Sequence, residues 1–322
     1  MSRSLPTISF QICSWKAPES LEKTLSSIFE QEGNPDDFEV ILVNNGFSPQ
    51  RASQLLEKFP LIHLVEEKAP GLAFARRAGF RTVRGTFISC LDDDNTIAPG
   101  YLSSLLSFIE RYPNLGCISP VVLPIWEAPV KNWVRKFGVY CLSYNTLAAP
   151  TNPEERVWVN PDFKDWPWPP GGGMILHRSV VEDYLLNVND GRRLALGRVG
   201  ASLGGSEDQD IYGRFVRLGK DAGYSQKILV YHDIPKQRTE WSYLVRLNFR
   251  MTQDWALMES FWRSEKNPLG QSTLGWHLKQ IIRLFGRWVF RRIPLQYLIL
   301  GLIRHAGYFW GWLRIRLRLG AG

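Results

Sequence analysis

Three adjacent aspartates, Asp92, Asp93 and Asp94, follow the apolar segment Phe87–Leu91. Neighbouring anions repel one another, and a hard divalent cation, which prefers oxygen ligands, would relieve that repulsion. In a continuing strand, side chains two residues apart share a face, which predicts that Asp92 and Asp94 point together and Asp93 points away. The alternative is an acidic turn that caps a helix beginning near Pro99. The residues alone leave both interpretations open.

A second acidic segment follows the glycine pair 204–205. Glu207 and Asp208 lie at the predicted start of a helix, and Asp210 follows on another face of it. Acidic residues in a first helical turn are favoured by the helix dipole in any case. An ordinary N-terminal turn and a functional carboxylate pair are therefore both compatible with this segment, and Asp210 is interpreted as structural.

The elements around these acids alternate between strands and helices, which indicates an α/β fold with a mostly parallel sheet flanked by helices. Strands are predicted at residues 7–14, 38–43, 62–65, 87–91, 172–177 and 228–231, and helices at 21–29, 50–59, 72–83, 179–186 and 208–218. Residues 124–170 are interpreted as loop with short strands. Ligands of such sheets bind beyond the carboxyl ends of the strands. Those ends carry Cys13-Ser14-Trp15, Asn44-Asn45-Gly46 and the aspartate run.

The charge is divided unevenly along the 322 residues, of which 44% are apolar. Residues 1–260 hold 28 basic and 30 acidic side chains, whereas residues 261–322 hold 11 basic side chains and one acid. This predicts two regions, a globular catalytic domain at 1–260 and a basic, apolar region at 261–322. A nucleic-acid enzyme with a basic groove through its body is disfavoured, so no nucleic-acid partner is expected. An anionic membrane surface suits the C-terminal region better.

The C-terminal region has the pattern of a basic amphipathic helix that associates with a membrane. The apolar stripe comprises Leu274, Leu278, Ile281, Ile282, Phe285 and Val289, and the opposite row comprises Lys279, Arg283, Arg287 and Arg291. Pro294 should break or kink this helix.

The following residues 295–313 are mostly apolar, but a spanning helix would place Arg304 near mid-depth at a cost of about 2.5–3.5 kcal/mol. A helix lying in the interface is therefore favoured over a spanning one. The alternative is a helical subdomain that packs on the catalytic core or on a second protomer.

The cysteines and the N-terminus bear on the cellular compartment. The four cysteines are far apart and lack metal-ligand spacing, which indicates a reducing compartment. Residues 1–6 have no apolar signal segment before the first strand. The catalytic part is therefore expected in the cytoplasm, at the cytoplasmic face of the inner membrane as a peripheral or monotopic protein.

The order and spacing of several short motifs resemble the family 2 glycosyltransferases of the GT-A fold. The resemblance covers residues 7 to about 235. It is carried by Thr7–Trp15, by 40–48 (VILVNNGFS), by 71–79 (GLAFARRAG), by Leu91–Asn95, by 171–176 and by 204–219.

The resemblance implies an inverting, metal-dependent enzyme that moves a sugar from a nucleotide-diphosphate sugar to a hydroxyl acceptor, a membrane-proximal glycan or lipid-linked saccharide. Asp92 and Asp94 are the implied DxD pair, with Asp94 contacting Mn²⁺ or Mg²⁺ and Asp92 nearer the ribose. His232, after the last core strand, is a candidate to complete the metal site. Asp208, in the implied ED motif, is the general base.

The remaining candidate residues divide between donor and acceptor. The nucleotide-sugar set is Ser14, Asn44, Asn45, Gly71, Arg76, Asp92 and Asp93, and the acceptor set is Trp168, Gly172, Gly173 and Glu207. Trp166 is a second candidate platform for a sugar ring, and Lys236 and Arg238 are candidates to meet the diphosphate. Asn44 and Asn45 stand where the family usually has an Asp, so the choice between UDP and GDP stays open.

Two other functional classes compete with this interpretation. A sugar-nucleotide or glycan binding protein that has lost catalysis would lack the base or the metal pair, and both are present. A nucleotidyltransferase normally has a glycine-rich phosphate loop after the first strand, whereas residues 14–18 contain no glycine.

Overall fold

The computed structural model describes residues 6–139, 141–149, 151–162, 168–188, 196–200, 202–262 and 273–319. The strands are β1 Ile8–Ser14, β2 Phe38–Asn44, β3 Ile62–Glu66, β4 Phe87–Asp92, β5 Asn95–Ile97, β6 Leu115–Trp126, β7 Glu155–Trp158, β8 Ile175–His177 and β9 Asp221–Ile234. The helices are α1 Glu19–Phe29, α2 Pro49–Lys58, α3 Leu72–Phe80, α4 Tyr101–Arg111, α5 Asn132–Gly138, α6 Arg178–Asn187, α7 Glu207–Arg217, α8 Trp241–Trp262, α9 Leu274–Val289 and α10 Leu295–Leu319. Short 3₁₀ turns occur at Pro35–Asp37 and Lys236–Thr239.

The strands of the described residues form one mixed sheet in the order β3-β2-β1-β4-β8-β6-β9-β5, with β7 paired to β9 outside this path. Pairing is parallel between β3, β2, β1 and β4 and between β6 and β9. It is antiparallel wherever β8, β5 or β7 pairs. The prediction of a mostly parallel sheet is therefore wrong beyond β4. Hydrophobic periodicity identifies a strand but not its direction, and β8 runs opposite to both of its neighbours.

Helices cover both faces of the sheet, which explains the continuous apolar run 40–43 of β2. One face packs against α1, α2 and α4, and its cluster includes Phe10, Leu25 and Leu105. The other packs against α3, α6 and α7, and its cluster includes Ile88 and Tyr212. The carboxyl ends of the parallel strands are thereby left as the open edge of the sheet.

Strand β6 contains two prolines and extends to Trp126. Its last residues therefore lie in the segment 124–170, for which the sequence predicts loop with short strands. The strand pairs with β8 only at Cys117 and Ile118, and with β9 along its length. Pro120 and Pro124 are therefore accommodated, because proline is tolerated where one side of a strand lacks a ladder partner. The Asn145 side chain covers that side, accepting from the Val122 N–H at 3.2 Å and donating to the Pro120 carbonyl at 2.8 Å.

The two C-terminal helices differ in how they contact the body. Helix α10 packs on α8, with Gly307 against the Phe249 carbonyl, and it buries Tyr308, whose hydroxyl donates to Glu259. For α10 the structure therefore follows the alternative of a packed subdomain. Helix α9, which ends before Pro294, leaves its apolar stripe largely exposed.

No helix within the described ranges is long and apolar enough to cross a membrane. The predicted boundary at residue 260 falls in the last turn of α8, a helix that packs on the body of the α/β fold. Trp262, at the end of that helix, is buried and donates its indole N–H to Asp210 at 2.8 Å. The division into two domains stays a prediction.

The α8–α10 contact predicts a strong effect of Gly307→Ala on stability. A Cβ at Gly307 would lie 2.3 Å from the Phe249 carbonyl oxygen and 2.4 Å from Thr252 Oγ1, so the helices must separate. We expect the free energy of unfolding to fall by about 1–3 kcal/mol, measured by urea denaturation. Gly286→Ala in α9 is the matched control. A Cβ there meets nothing within 4 Å, so this variant should be neutral or slightly stabilising. Equal effects of the two changes would contradict the tight contact.

Candidate active site

A cleft of about 370 Å³ opens at the carboxyl ends of β1 and β4. Most of the predicted site residues line it: Ser14, Asn45, Gly71, Arg76, Asp92, Asp93, Asp94, Gly172, Glu207 and Asp208. The cleft thus brings together these ten residues, of which Ser14 and Asp208 are 194 positions apart in the chain. The other predicted residues, Asn44, Trp168, Gly173 and His232, lie behind or beside its wall.

The aspartate run forms a turn, and its three side chains have different partners. Strand β4 ends at Asp92, whose N–H donates to the Asn95 side chain at 3.0 Å and closes the turn. Asp92 lies 3.7 Å from Arg76, and Asp93 accepts from Ser14 Oγ at 2.5 Å. The prediction that Asp93 points away from its neighbours is wrong, because strand alternation stops at Asp92 and all three carboxylates line the cleft.

These acids do not cap the next helix. Helix α4 begins at Tyr101 after Gly100, and no side chain caps its N-terminus. The alternative interpretation of the run as a helix-capping turn is therefore wrong. Burial and the neighbouring Asp94 and Asp92 charges raise the pKa of Asp93 to about 7, although its bond from Ser14 acts in the opposite direction.

Asp94 is held beside His232 by strand pairing. In the antiparallel β5–β9 register Asn95 lies opposite His232, and the Asp233 N–H donates to the Asp94 carbonyl at 3.0 Å. The His232 Nε2 atom lies 3.5 Å from Asp94 Oδ1. Its Nδ1 is 3.1 Å from the Ser143 carbonyl, which can only accept, so Nδ1 donates that hydrogen bond.

Arg238 links the same two side chains. Its guanidinium lies 3.1 Å from Asp94 Oδ2 and 3.2 Å from His232 Nε2. Burial alone would raise the pKa of Asp94, but His232 and the charges of Arg238 and Arg198 outweigh burial and lower this pKa to about 2. Asp94 is therefore a carboxylate at any physiological pH, and positive charge already gathers around it.

The chemistry of these donors fits a divalent cation. Asp94 Oδ1 is buried without a hydrogen-bond partner, and an ionised oxygen together with an imidazole nitrogen is a donor set that Mn²⁺ and Mg²⁺ accept. Among the described residues no group of three or more His, Cys, Asp or Glu converges as a metal site. Two protein donors are still sufficient where phosphate oxygens complete the coordination, as Mg²⁺ sites for nucleotides often show.

Arg76 joins the two acidic segments. It is buried, its Nη1 lies 2.7 Å from Glu207 Oε1, and its Nη2 lies 3.7 Å from Asp92. Burial disfavours the guanidinium charge, but Glu207 and Asp92 outweigh it and raise the pKa of Arg76. Glu207, predicted for the acceptor, is thus engaged by Arg76 at the base of the cleft. Removing either partner would leave a buried charge unpaired.

Asp208 lies in the first turn of α7, where the preceding chain is tightly constrained. Gly204 has no room for a side chain, since a Cβ would lie 2.2 Å from the Gly197 carbonyl oxygen, and Ser206 has a φ of 143°. Burial and the Glu207 charge raise the pKa of Asp208 to about 7, although Arg76 acts in the opposite direction. A carboxyl group with a pKa near neutrality is suited to proton transfer.

The glycine run 171–173 passes directly along the carboxylates. A Cβ at Gly171 would lie 3.1 Å from Asp208 Oδ2, and one at Gly172 would lie 2.3 Å from Asp92 Oδ2. These two glycines therefore allow the backbone to form the floor of the cleft. Gly173 instead donates its N–H to the Cys90 carbonyl at 2.7 Å and faces the body, away from the cleft.

The predicted nucleotide loops are built by the two asparagines. The buried Asn44 accepts from the Gly46 and Phe47 N–H groups. Asn45 donates to the carbonyls of Glu67 and Ala69 and accepts from Gly71, so its amide holds the segment before α3. Both side chains thus fix the shape of the cleft wall.

Trp168, predicted as a platform for a sugar ring, does not line the cleft. Trp168 stacks on Trp255 with ring centroids 5.7 Å apart and an interplanar angle of 12°, outside the residues that line the cleft. Trp166 lies outside the described residues. The exposed Trp15, which follows β1, lines the cleft instead, and Lys16 lies 4.4 Å from its ring centroid.

Sequence reasoning missed the contribution of α8. Leu247 and Met251 line the cleft, and Asp254 accepts from the Gly205 N–H at 3.1 Å, which fixes the loop before Asp208. Polar residues such as Asn248 and Asp254 interrupt the apolar pattern of this helix and are buried. Buried polar residues need hydrogen-bond partners. Polar residues at buried positions of an amphipathic helix are therefore the sequence signal that could have indicated contacts between α8 and the site.

Comparisons with known proteins show the family of this chain. The sequence model described as "Glycosyl transferase family 2" matches residues 9–185. A glucosyl-dolichyl phosphate glucuronosyltransferase from Haloferax volcanii is 22% identical over 275 residues, 80% of this chain and 74% of that protein. The uncharacterized glycosyltransferase EpsJ from Bacillus subtilis is 26% identical over 111 residues, 33% of this chain, so the chain spans only 31% of EpsJ.

A solved structure shares the fold. The crystal structure of S. aureus TarS 1-349 in complex with UDP aligns with a TM-score of 0.51 and 14% identity, covering 97% of this chain and 91% of that chain. The chain belongs to glycosyl transferase family 2 and is a glycosyltransferase with an α/β, GT-A-like fold. The predicted family is thereby confirmed.

Proposed function

We propose that the protein transfers a sugar from a nucleotide-diphosphate sugar to an acceptor hydroxyl with inversion at the anomeric carbon. The observation that carries the proposal is the convergence of the Asp92–Asp94 turn, the Arg76–Glu207 pair and Asp208 on one cleft. A donor diphosphate would be placed by the cations Arg238 and Arg198, which line this cleft. UDP, the nucleotide bound in the TarS crystal, is the first nucleotide to test.

Asp208 is proposed as the general base. Above a pH of about 7 its carboxylate can accept the proton of the acceptor hydroxyl as that oxygen attacks the anomeric carbon. The bond to the donor phosphate breaks in the same displacement, so the product has the inverted configuration. Asp94 and His232 are the residues proposed to hold Mn²⁺ or Mg²⁺, which would supply charge for the departing diphosphate.

The acceptor is proposed to be a membrane-proximal glycan or a lipid-linked saccharide at the cytoplasmic face of the inner membrane. The support is the basic C-terminal region, which contains 11 basic residues and one acid. The similarity to the Haloferax enzyme, whose name specifies a dolichyl phosphate-linked acceptor, points in the same direction.

A panel of nucleotide sugars tests this function on the full-length chain. We expect at least one uridine or guanosine diphosphate sugar to raise the melting temperature with Mn²⁺ or Mg²⁺ present and to be hydrolysed slowly without acceptor. Binding without hydrolysis or transfer to any acceptor would favour the inactive binding protein. Stabilisation by nucleoside triphosphates instead of sugar nucleotides would favour a nucleotidyltransferase.

A further inference from the structure

Helix α9 presents an apolar surface that the described part of the molecule leaves uncovered. Six large side chains, each more than a third exposed, form this surface, which we call the α9 face: Leu274, Leu278, Ile282, Phe285, Trp288 and Val289. Ile282 is 70% exposed and Val289 63% exposed. Contiguous exposed apolar patches are uncommon on soluble monomers and mark interaction sites.

The helix is attached to the body along a different side. His277 is the only buried residue of α9, and its Nδ1 lies 2.8 Å from His305 Nδ1 on α10. Leu284 fills the space beside Gly301, where an added Cβ would lie 2.7 Å from it. These contacts fix the orientation of α9 and direct the α9 face outward.

The charge around the α9 face distinguishes between two possible binding partners, a second copy of the chain and an anionic surface. Lys279, Arg283, Arg287 and Arg291 are all exposed, and residues 273–319 contain no Asp or Glu. A second copy docked on the same face would bring two such cationic rows together without compensating acids. An anionic surface would attract each of these side chains by about 1 kcal/mol.

The aromatic residues point to the same occupant. Phe285 and Trp288 belong to the α9 face, and the exposed Trp288 lies at its edge. Indole rings are enriched where hydrocarbon meets lipid headgroups, because one part of the ring is apolar and the N–H is polar. An amphipathic helix with a basic polar side and Trp at its apolar border matches a helix lying in the bilayer interface.

We propose that the α9 face binds the surface of an anionic lipid bilayer. Helix α10 packs on α8 and on α9 and so holds α9 in place. This narrows the membrane contact from the whole C-terminal region to one helix. The inference does not depend on the transfer reaction, since the binding surface contains none of the cleft residues. A vesicle assay therefore tests it separately from the proposed function.

The test is co-sedimentation of the full-length protein with phosphatidylcholine vesicles, with and without phosphatidylglycerol, at low salt. We expect binding to the anionic vesicles only. The triple variant Arg283→Glu, Arg287→Glu, Arg291→Glu should lower the partition coefficient by about 100-fold or more. Ile282→Ser, which changes no charge at a largely exposed position, should lower it by about tenfold.

The matched control is the triple variant Lys23→Glu, Arg81→Glu, Lys227→Glu, which changes the net charge equally at exposed positions of the catalytic body. This variant should bind vesicles like the unaltered protein, and circular dichroism should show that all variants are folded. The proposal is overturned if the control loses binding equally, or if the unaltered protein fails to sediment with anionic vesicles. A dimer in light scattering that Ile282→Ser converts to a monomer would assign the face to a second copy and also overturn it.

Discussion

Asp94→Asn is expected to lose about 1000-fold in transfer rate together with its dependence on a divalent cation. The substitution keeps the size of the side chain but removes a carboxylate that is ionised at all physiological pH values. Loss of one ligand and one charge from a cation site removes several kcal/mol of stabilisation from the transition state. The measurement is turnover as a function of Mn²⁺ and Mg²⁺ concentration, with cation affinity followed by calorimetry in the presence of UDP.

Asp233→Asn provides the control for this change. Asp233 neighbours His232 on β9, and its backbone, not its side chain, is bonded to Asp94. The control should keep both its turnover and its cation affinity. Retained activity of Asp94→Asn at unchanged cation affinity would remove Asp94 from the proposed cation site.

Asp208→Asn is expected to lower turnover by about 100-fold or more while donor binding persists. Asparagine preserves the shape of the side chain but cannot accept the acceptor's proton. The measurement is kcat at saturating donor, together with the dissociation constant of the donor from calorimetry. Loss of donor binding with normal kcat at saturation would show that Asp208 belongs to the donor site instead.

The pH profile gives the same assignment an independent check. A base must be deprotonated, and burial followed by the Glu207 charge places the pKa of Asp208 at about 7. We therefore expect kcat/KM to be highest above pH 7 and to fall tenfold per pH unit well below it. In Asp208→Asn the residual kcat/KM should no longer show this fall below pH 7. The product should carry the inverted anomeric configuration, and a retained anomer would contradict a single displacement.

Asp210→Asn is the matched control for the base, two residues along the same helix. Asp210 is buried and accepts from the Trp262 indole N–H at 2.8 Å. We expect this variant to lower thermal stability and to keep kcat at saturating substrates. A loss of kcat as large as that of Asp208→Asn, in a folded protein, would mean that the effect is not specific to the base.

Local pattern predicts the first half of the fold well. Strands β1 to β4 and helices α1 to α3 lie within a few residues of their predicted bounds, because each buries an apolar face whose spacing matches its own geometry. The pattern fails at the end of β6 and at α8. Prolines in β6 are tolerated only because β8 is too short to pair with them, and α8 carries buried polar residues whose partners lie elsewhere.

The sequence by itself determined the family, the α/β class and the order of the acidic motifs, since these depend on residue type and spacing along the chain. Only the tertiary structure decided which side chains meet. The β5–β9 register brings His232 to Asp94, and the buried Arg76 contacts both Asp92 and Glu207, the latter 131 positions further along the chain. The tertiary structure also distinguished the two C-terminal helices. Both have apolar residues that the sequence pattern alone cannot assign to a partner. Only the packing shows that α10 is covered by α8 and that the α9 face is exposed.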